Sequence, residues 1–152
     1  MRVFGHSMSE SPVDRTNKLL DIHDEPPYLH LRIANKECQE IKSMTFLARK
    51  EGLYFSGGTE LYLANIGEEI VGLCGIIWYR DLCKFKNDWV KPECRRRGYW
   101  NQMMNLRIQM AMNRNCRFID ATCTKIALPG WLKRGAVIIK KFQTYTKVKL
   151  SL

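Results

Sequence analysis

The chain has 152 residues, enough for one folded domain with a buried core and too few for two ordinary ones. Hydrophobic residues make up 45% and charged residues 26%, and no window is long and apolar enough for a bilayer span, so composition argues against a disordered chain and a helical membrane protein. The net charge of +10 is unevenly placed: 8 Lys and Arg stand against 11 Asp and Glu in residues 1–79, and 17 against 4 in residues 80–152. Such a surplus suits a polyanionic partner, whether a phosphorylated cofactor, nucleic acid or an acidic protein, and suits an ordinary basic surface equally well.

The opening MRVFGHSMSESPVDR contains no apolar segment of signal-peptide length, so a cytoplasmic protein is expected. Six cysteines with no CxxC pair and no zinc spacing read as reduced, buried small apolar residues. His6, His23 and His30 all fall early in the chain and pair with no nucleophile or ligand, and no metal is expected.

In chain order, residues 1–27 are polar and end in DEPPY, where Pro26 and Pro27 exclude helix. They read as a flexible arm with one short helix near residues 16–22, and residues 28–152 read as a single domain. YLHLRI alternates as a first strand over residues 28–33. Asn35 can cap a helix over residues 36–51, with Ile41, Met44, Phe46 and Leu47 as its apolar stripe and Gly52 as its stop. Apolar runs at 61–66 and 70–79 flank GEE, a hairpin pattern, and a third run at 82–90 extends the meander. Tyr99, Met103, Leu106 and Met110 lie at helical spacing, widened by Trp100, Met104, Ile108 and Ala111. RFIDATCT is a strand, LPGWLKRGA a short helix or turn ended by Gly135, and VIIKKFQTYTKVKL a long β-branched closing strand, bent in the middle.

Between the third strand of the meander and the long helix lies VKPECRRRGYW. A strand feeding a helix through such a turn offers a use for it: the first amides of a helix have no partner in the chain, and with the helix dipole they attract phosphate. Gly98 permits close approach of the backbone, and Arg95, Arg96 and Arg97 supply charge for phosphate oxygens. A basic turn is the plain alternative.

Order of elements and turn together resemble the GCN-five-related N-acetyltransferase (GNAT) superfamily, over residues 28–150. In that family a Gln/Arg-x-x-Gly-x-Gly/Ala turn binds the pyrophosphate of acetyl-CoA, with Arg95 matching its first position and Gly98 its second. WLKRGA resembles the family's Tyr-x-x-x-Gly-Phe segment, with Gly135 in the glycine place. The resemblance implies an α+β fold with a mixed, mostly antiparallel central sheet flanked by helices, acetyl-CoA as donor, and direct attack by an amine acceptor in a ternary complex. Two positions depart from the pattern: Trp100 stands where Gly or Ala is usual, and Trp131 where many members carry a tyrosine that protonates the leaving thiolate.

The resemblance also implies site residues. The backbone at Asp88, Trp89 and Val90 would bind the pantetheine arm and polarise the carbonyl. Val90, Arg95, Arg96, Arg97, Gly98, Tyr99 and Trp100 would line the cofactor turn. Asp88 is the candidate base, with a solvated carboxylate or an ion pair to Lys86 as its plainer role. Tyr79, Tyr99 and Tyr145 are candidate acids, Tyr145 being preferred, with packing as their plainer role. An amine acceptor, small or on a protein, is the expected partner, and the basic second half admits nucleic acid. Two alternatives stay open: a relative that modifies nucleic acid, like the Mom-like DNA modifiers of phage, and a catalytically silent interaction protein.

Overall fold

Periodicity in the sequence carries into the architecture of the computed structural model, which describes residues 28–152. The elements are β1 (Leu29–Ile33), α1 (Gln39–Lys50), β2 (Glu60–Ile66), β3 (Glu69–Trp78), β4 (Leu82–Val90), a 3-10 turn (Pro92–Cys94), α2 (Tyr99–Asn113), β5 (Phe118–Thr124), α3 (Leu128–Lys133), β6 (Val137–Lys141) and β7 (Tyr145–Ser151). The helix expected near residues 16–22 lies outside the described residues.

Two expectations change. α1 begins later than the sequence suggested, because the Asn35 side chain accepts from the Glu37 amide in a turn of its own, and Cys38 takes the cap position without a side-chain bond. The closing segment is a hairpin and not one bent strand. The Phe142 amide donates to the Tyr145 carbonyl, and β6 folds back antiparallel on β7.

The seven strands form one sheet in the order β1-β2-β3-β4-β5-β7-β6. Every neighbouring pair is antiparallel except β4 and β5, which run parallel because α2 crosses between them. α1 covers one face, burying Ile41, Met44 and Ala48 against Leu61, Leu63, Leu73 and Trp89. α2 and α3 cover the other, burying Met103, Met104, Ala111 and Trp131 against Cys74, Ile76, Cys83 and Phe85. Fully buried positions such as Ile41 or Leu63 would each lose about 2–5 kcal/mol on truncation to alanine.

What positions the site is a defect in β4. Leu73 pairs with Trp89, whereas Gly75 pairs with Lys86, so β4 carries one residue more than β3 across this interval. Asn87 absorbs it at φ 59°, a β-bulge that bends the strand. Pairing between β4 and β5 stops at Phe85 and Ala121. Beyond that point the two parallel strands diverge, and the peptide groups of β4 facing β5 have no strand partner.

Candidate active site

The divergence opens a cleft of about 700 Å³, lined by β4 from Phe85 to Val90, the turn at Cys94–Trp100, β5 from Ala121 to Thr124, and Trp131 of α3. Most sequence candidates converge here. Asp88, Trp89, Val90, Arg95, Arg96, Gly98, Tyr99 and Trp100 line it, while Arg97 and Tyr145 do not.

The turn has the conformation of an anion cradle. Arg96 at φ 65° and Gly98 at φ 80° are both left-handed, so successive amides converge ahead of α2. Only glycine takes that geometry at position 98 at no cost, and a Cβ there would meet nothing, so the space in front of the helix is open. No side chain caps α2, which leaves its first amides for a ligand.

The three arginines separate. Arg95 turns back: its Nε donates to the Val90 carbonyl at 2.8 Å and its Nη2 to Glu51 Oε1 at 2.7 Å. Glu51, at the end of α1, also accepts from Trp89 Nε1 at 2.9 Å. The Arg95 and Trp89 hydrogen bonds hold the Glu51 carboxyl below its ordinary value. Arg95 therefore braces β4 against α1. Arg96 and Arg97 are exposed and pair with no carboxylate among the described residues.

On the α2 side, Asp88 is the centre of a half-buried network. Its Oδ2 accepts from Arg107 Nη2 at 2.6 Å and from Trp100 Nε1 at 2.9 Å. The partner expected from sequence, Lys86, would share a face with Asp88 on a regular strand; the bulge at Asn87 puts the two on opposite faces, and Lys86 donates to Ser56 Oγ. Arg107, 0% exposed, lies over the Phe85 ring and also donates to the Gly75 carbonyl. Burial pulls the Arg107 guanidinium down, and Asp88 with the neighbouring thiols more than offsets it, so it stays charged. Asp88 Oδ1, by contrast, is buried without a partner among the described residues.

Trp100 turns inward. Its ring fills the gap between α2 and α3, so close that a Cβ on Gly130 would sit 2.6 Å from it. Arg134 lies over the same ring and ties α3 to α2 through Asn101 and Asn105. The cleft keeps its volume with the indole in place. Trp131 is 2% exposed and tilts against Phe85, an apolar wall with no titratable proton near neutral pH.

Tyr145 stands apart from the cleft. It pairs across from Thr124 and stacks on Phe142, 4.5 Å between ring centres. Cys94 and Cys123 reach the lining, and burial pushes both thiols up. Sequence reasoning missed Arg107, Glu51 and Arg134. Only Arg107 had a signal, a cation in register with Met103, Met104 and Ala111 on the buried face of α2.

A family comparison adds to this geometry. Residues 18–129 match the acetyltransferase (GNAT) family. The chain belongs to the GNAT acetyltransferase family, and its class is that of an acyltransferase. Among solved structures it is similar to a GNAT family acetyltransferase from Elizabethkingia anophelis with acetyl-CoA bound, at 17% identity and TM-score 0.66, covering 82% of this chain and 98% of that one. It is also similar to the spermidine/spermine N-acetyltransferase from Vibrio cholerae in complex with manganese ions, at 11% identity and TM-score 0.64, covering 82% and 92%. Both likenesses concern the fold. No curated protein sequence matches the chain. No described helix is long and apolar enough to cross a membrane, and no group of His, Cys, Asp or Glu among the described residues can hold a metal ion.

Proposed function

We propose that the chain is an acetyl-CoA-dependent N-acetyltransferase that carries an acyl group to a primary amine by direct attack. The observation that carries this reading is the uncapped α2 terminus behind the left-handed Arg96 and Gly98 turn, opening into a cleft between diverging strands. The residues present fit the donor. Amides ahead of Tyr99 and the side chains of Arg96 and Arg97 suit a pyrophosphate. Unpaired peptide groups of β4 suit the amides of a pantetheine arm. Acetyl-CoA supplies an activated acyl carbonyl, and the β4 edge is the place for donors that polarise it.

Asp88 holds the acceptor. Asp88 lines the cleft, its buried Oδ1 has no hydrogen-bond partner among the described residues, and Arg107 orients the carboxylate, so that oxygen is the candidate to receive an ammonium group and take its proton, directly or through water. Arg107 and Trp100 are positioning residues that act through Asp88. Burial raises the thiols of Cys94 and Cys123, so neither is a ready nucleophile, which favours direct transfer over an acyl-enzyme. Trp131 replaces an acid with an apolar wall and Tyr145 lies outside the lining, so the leaving thiolate takes its proton from Tyr99, from solvent, or from the attacking nitrogen, which loses a proton as it becomes the amide.

The test is CoA thiol release from acetyl-CoA against a panel of primary amines, with mass spectrometry of the protein. Release that requires an amine, with no acetylated cysteine, agrees with the reading. An acetyl adduct on Cys94 or Cys123 that transfers to amine would contradict direct attack.

A further inference from the structure

One half of the sheet carries a surface that the acyl-transfer reading does not use. α1 covers β2, β3 and β4, where Leu61, Leu63, Leu73 and Trp89 face it. The same face of β5, β7 and β6 is left without a covering helix among the described residues, and the strand registers say what stands on it. One row runs Lys84, Asp120, Lys149, Val137; the next runs Thr122, Lys147, Lys140; a third joins Thr124 to Tyr145. Thr122, Thr124, Tyr145, Lys147 and Lys140 are all exposed, whereas the alternate residues Ile119, Ala121, Cys123, Thr146, Val148 and Leu150 are buried under α2 and α3.

Four lysines thus stand on this face against one carboxylate, Asp120, which forms no ion pair among the described residues. Residues two apart on a strand are about 7 Å apart, and neighbouring strands about 5 Å, so the four lysines rise from closely spaced positions in a lattice on one face. Beside it lies an aromatic step. Tyr145 and Phe142 stack with ring planes 26° apart, yet stay 40% and 38% exposed. Lys140 lies over Phe142 and Lys149 over Phe118.

We propose that this open half of the sheet is a binding face for single-stranded nucleic acid. The lysine lattice complements a run of phosphates, and the exposed aromatic pair offers a platform on which a base stacks, the two features by which single strands are held without sequence readout. Threonines between the lysines add hydroxyl donors for phosphate oxygens. A second copy of the chain would bring the same lysines against themselves, which opposes self-association here. An acidic protein would satisfy the lysines but leave the aromatic step without a role. The face meets the cleft at Thr122 and Thr124, so a bound strand would lie at the mouth of the site.

Binding is read without acetyl-CoA, so the outcome is independent of the acetyltransferase reading. Fluorescence anisotropy of labelled oligothymidylate and oligouridylate against the full chain, over a salt series, is the direct experiment. With four lysines engaged, log K should fall against log salt with a slope of about −3. Lys140→Glu with Lys147→Glu should weaken binding at least about tenfold, and Tyr145→Ala about tenfold with the slope unchanged, with Tyr145→Phe restoring it. Circular dichroism melts confirm that each variant folds. The proposal is overturned if neither oligonucleotide binds at low salt. It is equally overturned if the lysine variants bind as the parent does, which would place the contact on the arginine turn. Displacement by poly-glutamate at equal charge, with Tyr145→Ala indifferent, would assign the face to an acidic protein instead.

Discussion

Arg107, on the helix that follows the arginine turn, reaches down to the bulged strand and holds Asp88 at 2.6 Å, with the guanidinium entirely out of solvent. The pair joins α2 to β4. Removing Asp88 leaves the Arg107 charge buried, and removing Arg107 leaves a half-buried carboxylate without its ion-pair partner. Asp88→Asn should therefore cost about 3 kcal/mol of stability. Arg107→Met alone should cost a similar amount, and the double variant less than the sum, because no charge is then stranded. Chemical denaturation of the four proteins measures the coupling. Full additivity would mean that the pair is not a unit.

Trp100 and Gly130 form a second coupled pair. A methyl group on Gly130 would meet the far edge of the indole at 2.6 Å, and the ring is held in place by its bond to Asp88. Gly130→Ala should destabilise by about 1–3 kcal/mol through overpacking. In a Trp100→Ala background the same change should cost much less, because the space is then vacant. Melting curves of the cycle check this; equal costs in both backgrounds would place the strain elsewhere.

Glu51 predicts the acid limb of stability. Folding lowers its pKa below the ordinary 4.5 through bonds from Arg95 and Trp89. A lowered carboxyl contributes fully above its unfolded value and loses that contribution as pH falls through the folded one. Glu51→Gln should flatten the decline on the acid side and leave the profile's shape near neutrality unchanged. Thermal melts over about pH 3–7 show the difference.

Much of the fold was legible because periodicity is a burial signal. The first two strands of the meander are near-continuous apolar runs, as strands covered on both faces require, and the helix from Tyr99 returns Met103, Met104, Arg107 and Ala111 to one buried face. The hairpin of β6 and β7 was hidden because its turn, Phe142, Gln143 and Thr144, contains no glycine, proline or asparagine to break a β-branched run. The site was legible where it depends on the turn, at Arg96 and Gly98. It was illegible where tertiary contact decides. Nothing in the sequence separates Arg95, turned back on Glu51, from its two exposed neighbours, and the bulge at Asn87 exists only against β3. The inward turn of Trp100 likewise depends on Gly130, thirty positions on.

The central claim is that the turn ahead of α2 takes the pyrophosphate of acetyl-CoA, and calorimetric titration of the purified chain tests it most directly. The account predicts saturable binding of acetyl-CoA, weakened at least about tenfold by Arg96→Glu, which reverses a charge at the cleft, and less by Arg97→Glu, which lies outside the lining. Absence of binding by the folded protein, or binding untouched by Arg96→Glu, would contradict it.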